Sequence, residues 1–197
     1  MFKKLLPLLL LFTGFQANAV IIDQTATTLD TDTGFEWLDM SYTDGITYAA
    51  ALAGSNTFEG GGWRIASYLE VVELASNAVG YDITTTFDND PASFIGLSAL
   101  TGFMGGTYGG AAFSYVVGNV FIGGGLDRAQ FGYDSDYGDF GYFRDNLTDF
   151  GWDGGADPSS NIGSFLVRSS AVPEPSIIAL FGLGLVGIGF ARRKRQS

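Results

Sequence analysis

The densest group of side chains that could do chemistry is acidic and lies at residues 133–139, Tyr-Asp-Ser-Asp-Tyr-Gly-Asp. Asp134, Asp136 and Asp139 bring three carboxylates close together along the chain, and carboxylate oxygens are the ligands that a hard cation such as Ca²⁺ prefers. This spacing suits a calcium site, although we expect no bound cofactor. The alternative is a solvated, tyrosine-rich loop that needs no ion.

Aromatic side chains around this acidic group offer a second kind of chemistry, because flat rings stack well against sugar rings. Tyr108, Tyr133, Tyr137, Tyr142 and Trp152 could together form a sugar-stacking face, with Tyr133, Tyr137 and Trp152 as the ligand-binding candidates. The alternative role for these rings is packing within a loop or a core.

The chain contains neither histidine nor cysteine, and this excludes several catalytic mechanisms. A Ser-His-Asp triad, a Cys-His pair and metal sites built from His or Cys all require side chains that are absent. Two carboxylates suffice for a glycosidase, but no pair stands out among the many Asp and Glu residues. We therefore expect a non-enzymatic protein. A carboxylate-based enzyme acting on extracellular polysaccharide is the alternative.

The charge distribution excludes nucleic acid as a partner. The chain has 10 basic and 21 acidic residues, and all of the acidic residues except Glu174 lie between residues 20 and 170. The basic residues of that same stretch are Arg64, Arg128, Arg144 and Arg168. A surface with so strong a negative charge would be repelled by a phosphate backbone.

The N-terminus has the pattern of a secretory signal peptide, residues 1–19. Lys3 and Lys4 precede an apolar run at 5–15, and Ala17-Asn18-Ala19 supplies small residues before an expected cut after Ala19. This pattern predicts export through the Sec translocon. Residues 20–170 remain as the exported part, and their number suits a single domain with one core.

The C-terminal segment, residues 172–197, combines three parts in order. Val172-Pro173-Glu174-Pro175 is followed by an apolar stretch at 176–191, and Arg192-Arg193-Lys194-Arg195 opens the basic tail at 192–197. The prolines keep the first part extended. The apolar stretch suits a single transmembrane helix, and the basic residues favour a cytoplasmic end.

This order of parts closely resembles the PEP-CTERM sorting signal of Gram-negative envelope proteins. The resemblance implies that an exosortase, a membrane enzyme, recognises the motif and cuts near it. The protein would then be anchored in the inner membrane only transiently before it reaches the cell surface or the extracellular matrix of a biofilm. There it would bind exopolysaccharide or another surface protein. An ordinary C-terminal anchor that is never cut is the alternative.

Local signals predict several elements of the exported domain. Extended segments at 20–22 and 26–29, a tight turn at 30–34 and a strand at 35–38 form a hairpin. Thr43 or Asp44 is expected to cap a short helix that Gly54 ends. A second helix should begin with a capping box of Ser67 and Glu70 and end near Gly80. Strands are also predicted at 94–97, 111–117 and 119–122, with a turn at Gly118-Asn119, and Trp37 and Trp63 are expected in the core.

Two segments resemble the Lcl C-terminal domain family, which is related to the C-type-lectin-like fold. They are Asp32-Thr33-Gly34-Phe35-Glu36-Trp37 and Gly62-Trp63-Arg64-Ile65-Ala66-Ser67, with Ala66 where the family usually has Pro. A closing strand that ends in Val167-Arg168 fits the same pattern. The resemblance implies an α+β, C-type-lectin-like domain with two short helices and a loop-rich antiparallel sheet. Its first and last strands, around Ile22 and Leu166, would be paired.

Overall fold

The computed structural model describes residues 20–83, 91–123, 125–136, 138–145 and 162–170. These residues form an α+β fold with three α-helices and two five-stranded sheets, in which nearly all strand pairs are antiparallel. The predicted α+β class is confirmed. The prediction of two helices is wrong, because a third helix stands where a strand was expected.

The first sheet has the strand order β1-β2-β3-β10-β4. Its strands are β1 (Ile21–Asp23), β2 (Thr27–Asp30), β3 (Phe35–Leu38), β4 (Arg64–Ile65) and β10 (Leu166–Ser169). The predicted hairpin is confirmed, and the buried Asp30 carboxylate shapes its turn by accepting hydrogen bonds from the Asp32 N–H and the Thr33 hydroxyl. Gly34 completes the turn with a φ of 70°, a backbone region that favours glycine.

The last strand, β10, does not pair with β1, so the predicted pairing of the segments around Leu166 and Ile22 is wrong. β10 lies between β3 and β4, with Val167 opposite both Trp37 and Arg64. The β2–β3 hairpin therefore separates β1 from β10 within the same sheet. The ion pair between Arg168 on β10 and Glu36 on β3, which lie directly opposite each other, stabilises this order.

The first helix, α1 (Tyr48–Gly54), begins later than the sequence predicts. Its cap is Thr47, whose side chain accepts a hydrogen bond from the Ala50 N–H. Thr43 is buried and serves another purpose, because its hydroxyl exchanges hydrogen bonds with the backbone of Ser164. The predicted end at Gly54 is confirmed.

The second helix, α2 (Tyr68–Val79), has both ends where the sequence predicts them. Ser67 Oγ accepts from the Glu70 N–H at 3.3 Å, and the Glu70 carboxylate accepts from the Ser67 N–H at 2.8 Å, so the capping box is confirmed. Arg64 also forms an ion pair with Glu70, and this ion pair lowers the pKa of Glu70. Gly80 ends the helix in the left-handed conformation.

We expect Ser67→Ala to lower the free energy of unfolding by about 0.5–2 kcal/mol, because first-turn N–H groups lose their partner. Urea denaturation of the variant and the wild type measures this difference. Glu73→Ala, at an exposed position of the same helix, serves as a comparison outside the cap. Equal stability of Ser67→Ala and the wild type would show that the box contributes nothing.

The third helix, α3 (Pro91–Met104), replaces the strand predicted at 94–97, and that prediction is wrong. A short apolar window does not distinguish a buried strand from a buried helix. The pattern over the whole of α3 does distinguish them, since its buried side chains recur at helical spacing along one face. They are Ser93, Leu97, Leu100, Thr101 and Met104.

The second sheet has the order β5-β6-β7-β8, and β9 pairs in parallel with β6. Its strands are β5 (Tyr108–Gly109), β6 (Phe113–Ile122), β7 (Gly125–Asp134), β8 (Phe140–Asp145) and β9 (Gly163–Ser164). The turn predicted at Gly118-Asn119 is wrong, because β6 runs through it without a break. Gly118 is needed for space, since a Cβ there would lie 2.7 Å from the Met40 side chain.

The main core packs side chains from both sheets against α2 and α3. Its largest fully buried members include Trp37, Phe131, Phe143 and Phe165. Trp63 is also buried, in a smaller cluster with Leu38, Ile65 and Leu166. The prediction that both tryptophans are core residues is confirmed.

Candidate binding face and sorting signal

Three tyrosines form a row across the second sheet, on β5, β6 and β8. Tyr108 lies opposite Tyr115, Tyr115 opposite Gly132, and Gly132 opposite Tyr142. Directly opposed residues share one face of a sheet, so the three rings lie on the same side. At about 4.8 Å between strands, the row spans about 14 Å. We call these three residues the tyrosine row.

Gly132 makes the row continuous, although it contributes no side chain. A Cβ at this position would lie 2.6 Å from Cδ1 of Tyr115, so the Tyr115 ring occupies the space that a larger residue would fill. The Tyr115 ring centroid lies 5.5 Å from that of Tyr142 and 6.3 Å from that of Tyr108. The planes of Tyr108 and Tyr115 differ by only 12°, so these two rings present nearly parallel faces.

Polar and charged groups hold the row in place. Asp134 accepts a hydrogen bond from the Tyr115 hydroxyl at 3.1 Å, and the Arg144 guanidinium lies 5.1 Å from the Tyr142 ring centroid. Burial raises the pKa of Tyr115, and the bond to Asp134 raises it further. Burial also raises the pKa of Tyr142. Both phenols therefore stay neutral and keep their O–H groups at physiological pH.

The row is accessible on one side. Tyr108 is 43 % exposed, while Tyr115 and Tyr142 are partly buried. Phe113 extends the apolar area, with its ring centroid 5.8 Å from Tyr108 and 5.5 Å from Tyr115. Rigid, partly exposed rings beside hydroxyl groups provide both stacking and hydrogen bonding, which is the chemistry that a sugar ring requires.

Of the residues that the sequence suggests for a sugar-stacking face, Tyr108 and Tyr142 belong to this row, but Tyr133 does not. Tyr133 follows Gly132 on β7 and therefore points to the opposite face, where its ring packs edge-on against Phe94 at 5.6 Å. Tyr137 and Trp152 lie outside the described residues. Tyr115 was missed, although its place at every second residue with Phe113 and Val117 in a predicted strand was a usable signal.

The acidic group at 133–139 is only partly described, because Tyr137 is not. Asp134 uses one carboxylate oxygen for the Tyr115 hydroxyl and the other for the Asp136 N–H, at 2.8 Å. Asp136 and Asp139 are exposed, and Asp139 has a φ of 44°. Within the described ranges, no group of three or more Asp or Glu side chains is placed to hold a metal ion. The calcium site at Asp134, Asp136 and Asp139 stays a prediction.

A second cluster surrounds Arg168 on β10. Its guanidinium forms a two-pronged ion pair with Glu36, at 2.9 and 3.0 Å, and stacks on the Trp63 ring at 4.2 Å. It also donates to the backbone carbonyls of Glu59 and Gly61. The hydrogen bond from Arg168 lowers the pKa of Glu36. These contacts tie the last strand to the loop before β4, so their role is structural.

The C-terminal sorting residues lie outside the described residues. They are Val172, Pro173, Glu174, Pro175, Arg192, Arg193, Lys194 and Arg195. None of the helices in the described part of the chain combines the length and the apolar character needed to cross a membrane. The transmembrane helix expected at 176–191 stays a prediction.

Comparison with known proteins assigns the C-terminal segment. Residues 171–195 match the model of the PEP-CTERM protein-sorting motif. The motif indicates an exported surface protein that is anchored transiently in the membrane and sorted by an exosortase. The chain matches no curated protein and no solved structure. The Lcl and C-type-lectin-like resemblance of residues 20–170 therefore has no support from these comparisons.

The sorting motif leads to a first functional prediction. We expect Glu174→Ala, or removal of the basic residues 192–195, to leave the precursor in the inner membrane, because the enzyme loses its recognition site or the tail loses its cytoplasmic anchor. Fractionation followed by mass measurement of the tail distinguishes precursor from product. Wild-type protein at the surface with its complete tail, through Ser197, would contradict cleavage.

Proposed function

We propose that this protein is a non-enzymatic, exosortase-sorted surface protein whose exported domain binds extracellular polysaccharide through the tyrosine row. The observation that supports this role is the alignment of Tyr108, Tyr115 and Tyr142 on one face of the second sheet. Stacking on neutral rings suits a strongly acidic domain, because it needs no attraction between opposite charges.

The groups beside the row favour binding over catalysis. Asp134 is the carboxylate that bonds to the row, and its two oxygens accept hydrogen bonds from the Tyr115 hydroxyl and the Asp136 N–H. A glycosidase needs two carboxyl groups on either side of a bond, about 5–10 Å apart, with one of them free to transfer a proton. Asp134 instead orients Tyr115 and so keeps the binding face rigid.

We expect Tyr108→Ala and Tyr142→Ala each to weaken binding to polysaccharide from the producing cells by about tenfold, or about 1.4 kcal/mol. Each substitution removes a ring from the row and leaves the core unchanged. Titration calorimetry with the purified exported protein measures the affinity. Tyr42→Ala is the matched control, since Tyr42 is 37 % exposed and its hydroxyl bonds to Glu59, away from the row.

Two outcomes would contradict this function. Equal affinity of the row variants and the control would exclude the tyrosine row as the binding surface. Release of sugar products by the wild type, abolished by one Asp or Glu substitution, would instead establish the carboxylate-based enzyme.

A further inference from the structure

Both ends of the described domain leave from one end of the first sheet. At the N-terminal end, the Val20 N–H donates to the Thr31 hydroxyl at 2.9 Å, and the Val20 carbonyl accepts from the Thr31 N–H at 3.2 Å. At the C-terminal end, the Ser170 N–H donates to the Gly34 carbonyl at 2.8 Å. Thr31–Gly34, which we call the junction turn, therefore holds both ends.

The register of the strands shows how close these ends are. Ile21 lies opposite Asp30, Asp30 opposite Phe35, and Phe35 opposite Ser169. Three steps between strands of about 4.8 Å place Ile21 about 14 Å from Ser169. Val20 and Ser170, the described residues nearest in sequence to the expected signal-peptide cut and to the sorting motif, thus lie beside the same small surface.

The number of residues between the fold and the motif limits the distance further. Ala171 and Val172 alone separate Ser170 from Pro173, and the apolar stretch is under way at Ile177. An extended chain spans at most about 3.6 Å per residue, so Pro173 lies within about 11 Å of Ser170 and Ile177 within about 25 Å. A domain folded through Ser170 must therefore lie close to the membrane that holds the tail.

The last strand, β10, cannot easily detach from the sheet to lengthen the connection between the domain and the tail. β10 is an interior strand between β3 and β4, and Leu166 and Val167 are fully buried. Arg168 adds the ion pair with Glu36 and the stacking on Trp63. An enzyme that binds residues 173–175 therefore meets the folded domain in place.

We propose that the junction turn is the surface through which the folded domain faces the sorting enzyme at the membrane. The partner is the extramembrane surface of the protease that binds the Pro-Glu-Pro segment. The short connection after Ser170 makes the turn part of the space that this protease must enter. This inference rests on the sorting assignment and not on polysaccharide binding.

A bulky group attached at the turn tests the proposal, and the absence of native cysteine makes the labelling specific. Asp32 is exposed, and it is the backbone N–H of Asp32 that takes part in shaping the turn, so Asp32→Cys suits a polyethylene-glycol maleimide. The control is Leu69→Cys, which is 72 % exposed on α2. Asn77 on the same helix donates a hydrogen bond to Asp30, the residue just before the junction turn. Leu69 lies eight residues before Asn77 and is therefore about 12 Å from it along the helix.

The experiment uses the full-length chain reconstituted in liposomes with the exosortase, and it follows removal of the tail by mass. We expect the label at position 32 to slow cleavage by about tenfold or more, while the label at position 69 leaves the rate unchanged. A Gly/Ser linker of about ten residues after Ser170 adds roughly 17 Å and should restore cleavage of the chain labelled at 32.

Three results would overturn the proposal: equal slowing by both labels, no slowing by either, or no rescue by the linker. Thermal melts of both labelled chains confirm that each remains folded. The unlabelled wild type separates this inference from the sorting assignment on which it depends. If the wild type keeps its tail, sorting itself fails; if it is cut but the label at position 32 has no effect, only the junction surface is wrong.

Discussion

Replacing Arg168 with methionine should lower the free energy of unfolding by about 3 kcal/mol, because the partly buried Glu36 carboxylate loses its counter-charge. The Glu36 and Arg168 side chains are only 13 % and 23 % exposed, so water replaces the lost partner poorly. Stacking on Trp63 and the bonds to the Glu59 and Gly61 carbonyls disappear at the same time. Urea denaturation at neutral pH measures the change.

Arg64→Met is the matched control for this substitution. Arg64 also pairs with a carboxylate, that of Glu70; the Glu70 side chain is 18 % exposed, but that of Arg64 is 50 % exposed, so water reaches this pair from the arginine side. An exposed ion pair contributes about 1 kcal/mol or less, so this variant should remain close to the wild type. Similar losses in both variants would show that burial of the Arg168 pair has no special importance.

The dependence on pH provides a second test of the Arg168 pair. Arg168 holds the pKa of Glu36 below its ordinary value of 4.5. A lowered pKa in the folded state means that the pair stabilises fully above pH 4.5, and that its contribution is lost as the pH falls through the folded pKa. Acid should therefore destabilise the wild type more than Arg168→Met. Identical acid dependence of the two proteins would contradict this assignment.

Gly96→Ala should lower the free energy of unfolding by about 2–3 kcal/mol, because the helix packing leaves no room for a methyl group. A Cβ at Gly96 on α3 would lie 2.3 Å from the Ala78 carbonyl oxygen and 2.9 Å from Cα of Val79. Both of these contacts are with backbone atoms at the end of α2. Backbone cannot rotate away as a side chain can, so the two helices would have to separate.

The same substitution six residues later provides the control. Gly102 is also on α3, but it is exposed and a Cβ there would have no atom within 4 Å. Alanine favours a helix over glycine by about 0.8–1 kcal/mol, so Gly102→Ala should stabilise the protein. Thermal denaturation of the two variants tests whether the signs are opposite. Stabilisation by both would show that α2 and α3 are not in close contact at Gly96.

Local sequence was sufficient wherever a few neighbouring residues decide the structure. The turn at 30–34, the capping box of Ser67 and Glu70 and the glycine end of α2 all depend on side chains within a few residues of the backbone that they bond. The sorting motif at 171–195 is likewise a continuous segment, so consecutive residues are enough to identify it. These features were therefore visible in the sequence.

Predictions from local sequence were wrong where contacts with distant parts of the chain decide between a helix, a strand and a turn. Phe94–Leu97 is apolar enough for a strand, yet contacts with α2 and the second sheet place it in α3. Gly118 suggests a turn, but its lack of a side chain provides room for Met40 and Phe165 inside a continuous strand. The sequence contains the glycine, but its neighbours in space determine its role.

Only the tertiary structure decided the position of β10 and the membership of the tyrosine row. Arg168 pairs with Glu36 across 132 positions of the chain, and no local pattern indicates that pairing. Tyr108, Tyr115 and Tyr142 come from three strands, and strand register determines which tyrosines share a face. Tyr133 shows the consequence: it follows Gly132 directly, and side-chain alternation along the strand places it on the other face.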